Sequence, residues 1–570
     1  MKERIYEIIK DACGEGVAFD VLLPEKEGFG HYATNVALKL AKEERKKPLE
    51  VAAELTSRVK EKAPKGFFEK IETAPPGFIN FWLTREAWTS AFAKLASDKH
   101  CGVAQDMKGK TVMVEFTDPN PFKLFHIGHL MSNTIGESFS RLYSAAGAKV
   151  LRANYQGDVG LHVAMSVWGM MKTLSQLPAD GAPLSEKVAY LGAAYAAGSR
   201  AHRGGQEKEK AEIEALNRKI YERSDAEVNA LYDKGRAWSL EYFEEVYRRL
   251  GTKFAHYFFE SEVGAEGKEL VLKHKGDVFE ESDGAIVFRG EKYELHTRVF
   301  LNSKGLPTYE AKELGLNKKK FELYRPNLSI IVTGNEITEY FKVLKKAMEL
   351  ILPEVAEKTR HVPHGMLRLP SGKMSSRTGD VVTAESLIKE VKEKLKERES
   401  ERGGLSEKER EVVREEIAVG AIKYSILKQH PGQDIVFDFE RSLSVQGDSG
   451  PYLQYTYARL KSILRKAADA GYASGNDIKA LDSDVEAALV RKIVQFPDVV
   501  ELCVEHLASS HLAKYLFELA NLANRFYEGT PVLKEENASR RAARIFLAAA
   551  AANVLERGLG LLGMKAPEKI

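Results

Sequence analysis

Cysteine is scarce: Cys13, Cys101 and Cys503 are the only three in 570 residues, and no Cys-x-x-Cys pair occurs. Neither a disulfide framework nor a thiolate zinc site is expected, and no structural metal. Long apolar runs are missing too, none approaching the roughly 20 residues of a membrane-spanning helix. The opening MKERIYEIIKDACGEG puts charges between Ile5, Ile8, Ile9 and Ala12 on one helical face, unlike the unbroken apolar core of a signal peptide. Charge of one sign is not in excess either: 85 basic and 82 acidic side chains leave a formal +3. That balance neither demands nor excludes nucleic acid, since a basic face can be offset by acidic surface elsewhere. A cytoplasmic protein without membrane contact is expected, with several domains and ample core.

The most informative stretch is Thr111–Met131, TVMVEFTDPNPFKLFHIGHLM. Val112, Met113, Val114 and Phe116 make a short, mostly β-favouring apolar run. Pro119 and Pro121 forbid regular ladder or helix just after it, so a buried strand must give way to a loop. A helix then begins near His126. Strand, tight loop and helix N-terminus make an anion site, because the first helical N–H groups lack partners and the dipole is positive there. A nucleotide phosphate is the expected occupant, and Gly128 lets it approach without a Cβ in the way. Downstream, Gly372–Gly379 reads GKMSSRTG. On this glycine-bounded loop Lys373 is a flexible point charge that can follow departing phosphates, and Ser375 and Ser376 supply hydroxyl donors. Singly, these motifs also fit a helix-start histidine pair and a solvated basic loop.

Together, His126-Ile127-Gly128-His129 and the lysine loop resemble the two signatures of the class I aminoacyl-tRNA synthetases. The resemblance implies catalytic roles for His126, His129 and Lys373, and ATP contacts from Gly128, Ser375 and Ser376. It becomes specific to the arginyl-tRNA synthetases at Glu115 and Asn120, which stand where those enzymes carry a Glu and an Asn. LPTYEAKELG then supplies Tyr309 and Glu313 where they carry a Tyr and an Asp. Carboxylates that accept paired hydrogen bonds suit a planar guanidinium with five donors. Glu115 and Glu313 are the expected clamp, Tyr309 a wall, and Asn120 the partner of the α-amino group. An ordinary i,i+4 helix pair is the plain alternative for Tyr309 and Glu313. Glutamate at 313 departs from the family pattern, and in VTGNEITEYF the family's ligand-contacting glutamine has no clear match, leaving Asn335 or Glu336.

The chain divides, on this reading, at 1–106, 107–382, 383–445 and 446–570. The first is an α+β module with a helix from Tyr32 and a strand in PPGFINFWLT; FGHYATNVALKLAK and PGFINF resemble the family's tRNA-elbow domain. Phe78 and Asn80 match the pair that holds a D-loop base there, and a half-buried strand is the alternative. The second is a doubly wound (Rossmann-like) α/β catalytic core with an insertion about 185–300. A helical connector and an all-α bundle follow. GPYLQYTYARLKSIL resembles the entry to a DALR-type anticodon-binding domain, and Tyr455 and Arg459, with Gln454 and Tyr457, offer faces and donors for unstacked bases.

What the resemblance implies is ATP-dependent formation of arginyl adenylate with release of pyrophosphate, then transfer of arginine to the terminal adenosine of tRNA(Arg). Mg²⁺ accompanies ATP, a monomer is expected, and such enzymes typically need bound tRNA before they activate arginine. The alternatives are a non-catalytic tRNA-binding paralogue and a class I synthetase for another cationic amino acid.

Overall fold

Five parallel strands form the central sheet of the computed structural model, which describes residues 1–14, 16–24, 26–96, 98, 100–370, 382–398 and 405–570. They are β1 (Thr111–Glu115), β2 (Lys149–Gln156), β3 (His256–Phe259), β4 (Leu328–Gly334) and β5 (Thr359–His364), in the order β5-β4-β1-β2-β3. Val112, Met113 and Val114 are fully buried, as a strand covered on both faces must be. Chain order reverses across β1, with β4 on one side and β2 on the other. The C-terminal end of β1 is therefore the switch point at which doubly wound sheets bind ligands. Glu115 ends the strand there, in register with Ala153 of β2 and Ile331 of β4.

Two features differ from the sequence reading. The helix expected from Tyr32 begins at Val36, because Tyr32–Thr34 is a strand of the N-terminal sheet, paired with Val21–Leu22 on one side and Phe78–Leu83 on the other. Tertiary pairing outweighs local propensity there. That antiparallel sheet has a further strand, Phe68–Ala74, whose charges at Glu69, Lys70 and Glu72 suit an exposed edge. The range 185–300 is likewise not one insertion. Helices Leu184–Gly204, Glu207–Glu222 and Ala226–Leu250 come first, then β3 returns to the central sheet, and only afterwards does a small antiparallel sheet, Glu280–Leu301, branch off.

The C-terminal part is helical, and its core is not its own. Apolar side chains form one continuous cluster from Ile5 through Leu130 and Phe139 of α1 (Ile127–Ala145) to Leu559 and Met564. Polar contacts tie the same parts. The Tyr32 hydroxyl donates to Asp498 at 2.5 Å, and the Met1 amino group lies 3.5 Å from the same carboxylate. Ser138 of α1 shares a hydrogen bond with Ser509 at 2.8 Å, and Arg141 donates to the carbonyl of Gly560 at 3.0 Å. One end of α1 thus carries the histidine pair and its other half is docked on the bundle.

Candidate active site

Beyond the bond from Phe116 N–H to the Ala153 carbonyl at 3.2 Å, side chains hold the loop up to Phe125. Thr117, Asp118 and Phe122 have φ of 82°, 46° and 67°, a left-handed conformation costly for residues with a Cβ and common where a surrounding scaffold fixes a functional loop. That scaffold is explicit. Thr117 N–H donates to Ser132 Oγ at 2.9 Å, Asn154 Nδ2 to the Phe116 carbonyl at 3.1 Å, and Phe122 N–H to Ser239 Oγ at 2.9 Å. Asp118 Oδ1 accepts from Tyr155 N–H at 2.8 Å.

His126 is the N-cap of α1, and its Nδ1 accepts from the N–H groups of Gly128 (3.1 Å) and His129 (3.4 Å). His129 Nδ1 accepts in turn from His126 N–H at 3.3 Å, and the two rings stack with centroids 3.6 Å apart. This overturns one expectation. The helix start does not offer free N–H groups to a phosphate, because His126 takes two of them and the carbonyl of Val382 takes that of Ile127 at 3.1 Å. The donors are the imidazoles themselves. A backbone N–H can only donate, so each Nδ1 is unprotonated and each neutral ring carries its proton on Nε2, on the edge away from the helix start. Burial, with the Lys123 charge adding to it, depresses His126 to about 4; burial also holds His129 well below the ordinary histidine value, reinforced by His126.

Carboxyl groups gather at the C-terminal end of β1. Glu115 is 1% exposed and Glu313, one turn into α2 (Tyr309–Tyr324), is 9% exposed. Glu313 accepts from Asn317 Nδ2, at 2.9 Å through its carbonyl and 3.4 Å through its carboxylate. Burial, then the neighbouring Glu115 charge, pushes the Glu313 carboxyl up to about 8. Asp118 is raised for the same two reasons. Glu260, at the start of the helix after β3, was missed by the sequence reading. It is 5% exposed and paired with Lys312 at 2.7 Å, whose ammonium also donates to the Tyr221 hydroxyl at 3.0 Å. Its signal was weak, a lone Glu after an aromatic strand. Tyr309 stands at the rim, 62% exposed, with Lys312 Nζ 5.5 Å from its ring centroid.

Asn120 and Glu260 meet at Gly157, in the Gly-Asp-x-Gly turn after β2. A Cβ there would fall 2.3 Å from Asn120 Oδ1 and 3.2 Å from Glu260 Oε1. If Asn120 holds the α-amino group of arginine, as the family resemblance implies, Gly157→Ala should fold normally yet raise the KM for arginine about tenfold or more, by displacing Asn120. Steady-state kinetics with arginine and ATP varied separately checks it. The next residue, Asp158, is fully buried and accepts from Tyr232, Arg236 and Ser261, tying the helical insertion to the end of β2.

The raised Glu313 gives a second expectation. Between the ordinary value of 4.5 and about 8 the folded, empty site keeps a proton that the unfolded chain has lost. Stability of the empty protein through this group therefore falls as pH rises across that window. If Glu313 is half of the clamp that the family resemblance implies, a guanidinium requires its carboxylate, so below about pH 8 binding releases the proton. The KM for arginine should fall with rising pH, by at most about tenfold per unit, and level off above pH 8. Arginine titrations at pH 6, 7, 8 and 9 test this.

The other predicted residues are placed as follows. Lys373, Ser375 and Ser376 lie outside the described residues; the next described residues bond to the signature loop, Ala384 N–H donating to the carbonyl of Phe125 at 3.0 Å. Asn335 and Glu336 are exposed, and a Cβ on Gly334 would fall 2.2 Å from the Glu336 carboxylate. Phe78 is half-buried, while Asn80 is only 4% exposed. Tyr455 and Arg459 share an outer face of the helix Gly450–Asp469, the guanidinium 5.0 Å from the Tyr455 ring and 5.2 Å from that of Tyr527. Gln454 and Tyr457 are core: Gln454 Nε2 donates to the carbonyls of Glu416 and Lys565.

Three family models match: arginyl tRNA synthetase N terminal domain over 1–83, tRNA synthetases class I (R), catalytic domain over 92–439, and DALR anticodon binding domain over 453–570. The chain is 31% identical to the arginine–tRNA ligase of Bacteroides fragilis, over 96% of this chain and 94% of that one. It is also 31% identical to that of Clostridium perfringens, over 100% and 99%. Among solved structures, the Thermus thermophilus arginyl-tRNA synthetase superposes with a TM-score of 0.84 at 24% identity, each chain covered in full.

Proposed function

The chain belongs to the class I arginyl-tRNA synthetases and charges tRNA with arginine in an ATP-dependent reaction, and from that premise we propose how its residues divide the work. Arginine enters at the C-terminal end of β1. Glu115 and Glu313 take the guanidinium, Glu260 stays paired with Lys312, Tyr309 covers the guanidinium, and Asn120 holds the α-amino group. The arginine carboxylate attacks the α-phosphorus of ATP; the bond to the β-phosphate bridging oxygen breaks, and arginyl adenylate and pyrophosphate result. Charge grows on the α-phosphate oxygens as this happens. His126 and His129 meet it with two fixed Nε2–H donors, and neutral rings need no proton exchange with solvent to do so.

The stacked, reciprocally capped imidazole pair is the observation that carries this reading. Lys373, with Ser375 and Ser376, is assigned to the departing pyrophosphate, and Gly128 to the ATP side of the helix start. Mg²⁺ travels with ATP through phosphate and water ligands. In the second step a ribose hydroxyl of the terminal adenosine of tRNA(Arg) takes the arginyl group and AMP leaves. Phe78 is assigned to the tRNA elbow, Asn80, buried between two neighbouring strands, to the sheet itself, and Tyr455 and Arg459 to unstacked bases of the anticodon arm. A monomeric cytoplasmic enzyme belongs to the same proposal.

The test is exchange of labelled pyrophosphate into ATP, with and without tRNA, and with lysine in place of arginine. Exchange with arginine and tRNA but not with lysine supports both the clamp and a tRNA-dependent first step. No exchange with arginine in either condition, by a protein that still binds tRNA, would overturn the assignment.

A further inference from the structure

One buried cation near the clamp has no part in the steps above. Lys320, two turns along α2 from Glu313, is fully buried, and its Nζ lies 2.5 Å from Oε2 of Glu115. Among the described residues, neither atom has an aligned hydrogen-bond partner. Asp118 and Glu313 both sense the charges of Glu115 and Lys320, so the four groups form one cluster. A buried ion pair adds little net stability, because taking two charges out of water offsets their attraction, and unused hydrogen-bonding capacity makes it poorer still. Its position gives it a different use. Glu115 contacts this ammonium while Asp118 and Glu313 feel its charge, whereas Glu260 has a cation of its own in Lys312. One more cation completes the set.

We propose that Lys320 is a positioning residue for the amino-acid site: its ammonium tethers Glu115 through Oε2, leaving Oε1 to meet the arginine guanidinium while Glu313 takes the second edge. This rests on reading Glu115 and Glu313 as the clamp. Lys320 never touches arginine; it acts by keeping a carboxylate in place in a dry pocket. Without it, Glu115 is a buried carboxylate lacking a cation, and such a group takes up a proton or turns to other donors.

The test is a double-mutant cycle in the full-length chain, with pyrophosphate exchange in the presence of tRNA as the assay. Lys320→Met should raise the KM for arginine by a factor on the order of 10 to 100, the range for a lost charge-assisted contact. The KM for ATP and kcat should stay within about twofold, and Lys320→Arg should recover part of the loss. In a Glu115→Gln background, adding Lys320→Met should change the arginine KM by less than about threefold, because the tether then has nothing to hold. An unchanged arginine KM in Lys320→Met, or a full second loss in the double variant, would overturn the proposal. If Lys320→Met fails to fold, comparing Glu115→Gln with the double variant, which leaves neither charge unpaired, decides by the same rule. An unchanged arginine KM in Glu115→Gln alone would overturn the clamp reading itself, and the role of Lys320 with it.

Discussion

His129→Ala is expected to slow adenylate formation by about two to three orders of magnitude, the loss of roughly 3 to 4 kcal/mol of transition-state stabilisation usual for a preorganised donor. The ring is 7% exposed and held by the His126 N–H, so its Nε2–H is aimed before ATP arrives. The loss should fall on kcat, with arginine and ATP binding little changed, because the donor meets charge that exists only in the transition state. The His126→Ala loss should be at least as large, since that side chain also caps the helix at Gly128 and His129. Single-turnover measurement of adenylate formation separates the two: the His126 variant should also melt at a lower temperature. A His129→Ala enzyme that activates arginine at the normal rate would remove the imidazole pair from the mechanism.

Glu115→Gln is expected to cost about two to three orders of magnitude in kcat/KM for arginine, while the KM for ATP stays close to normal. Two losses combine. The guanidinium exchanges a charged acceptor for a neutral amide, which is the kinetic loss, and the buried ammonium of Lys320 loses the carboxylate that contacts it, a change that costs about 3 to 5 kcal/mol in comparable buried pairs. That second cost falls on the fold, so a lower melting temperature should accompany the kinetic effect. Arginine and ATP varied independently, with calorimetry on the same samples, would show it. An arginine kcat/KM within a few-fold of normal would mean that Glu115 faces Lys320 only and takes no part in the clamp.

Much of this site was legible before the fold was known, and the parts that were not share a physical cause. His126, His129, Glu115 and Asn120 lie within one stretch of chain, where strand, proline-broken loop and helix start can be read from local chemistry. Glu115, Asn120, Tyr309 and Glu313 came from the resemblance to the arginyl-tRNA synthetases; helical spacing alone left Tyr309 and Glu313 an ordinary i,i+4 pair. Glu260, Asp118 and Lys320 acquire meaning only once β1, β2 and β4 lie side by side and α2 is packed against them, a juxtaposition that no local pattern encodes. The error about free N–H groups at the helix start has another origin: it counted backbone donors but not the short reach of a histidine at the N-cap, whose Nδ1 takes two of them. In the N-terminal sheet, Tyr32–Thr34 lies immediately before a genuine helix, so periodicity blurred the boundary. β3 was hidden because four residues between long charged helices carry too little pattern to stand out.

The continuous apolar core joining Ile5, α1 and Met564 bears on how such a chain can be rebuilt. An N-terminal module grafted from a distant relative would bring its own counterpart of Tyr32 to a bundle whose Asp498 fits the present one, and the mismatch would be buried. A bundle exchanged alone would meet Ser138 and Arg141 on the very helix that presents the histidines. Chimeras should therefore survive best when the N-terminal module and the bundle are exchanged together, with the matching face of α1.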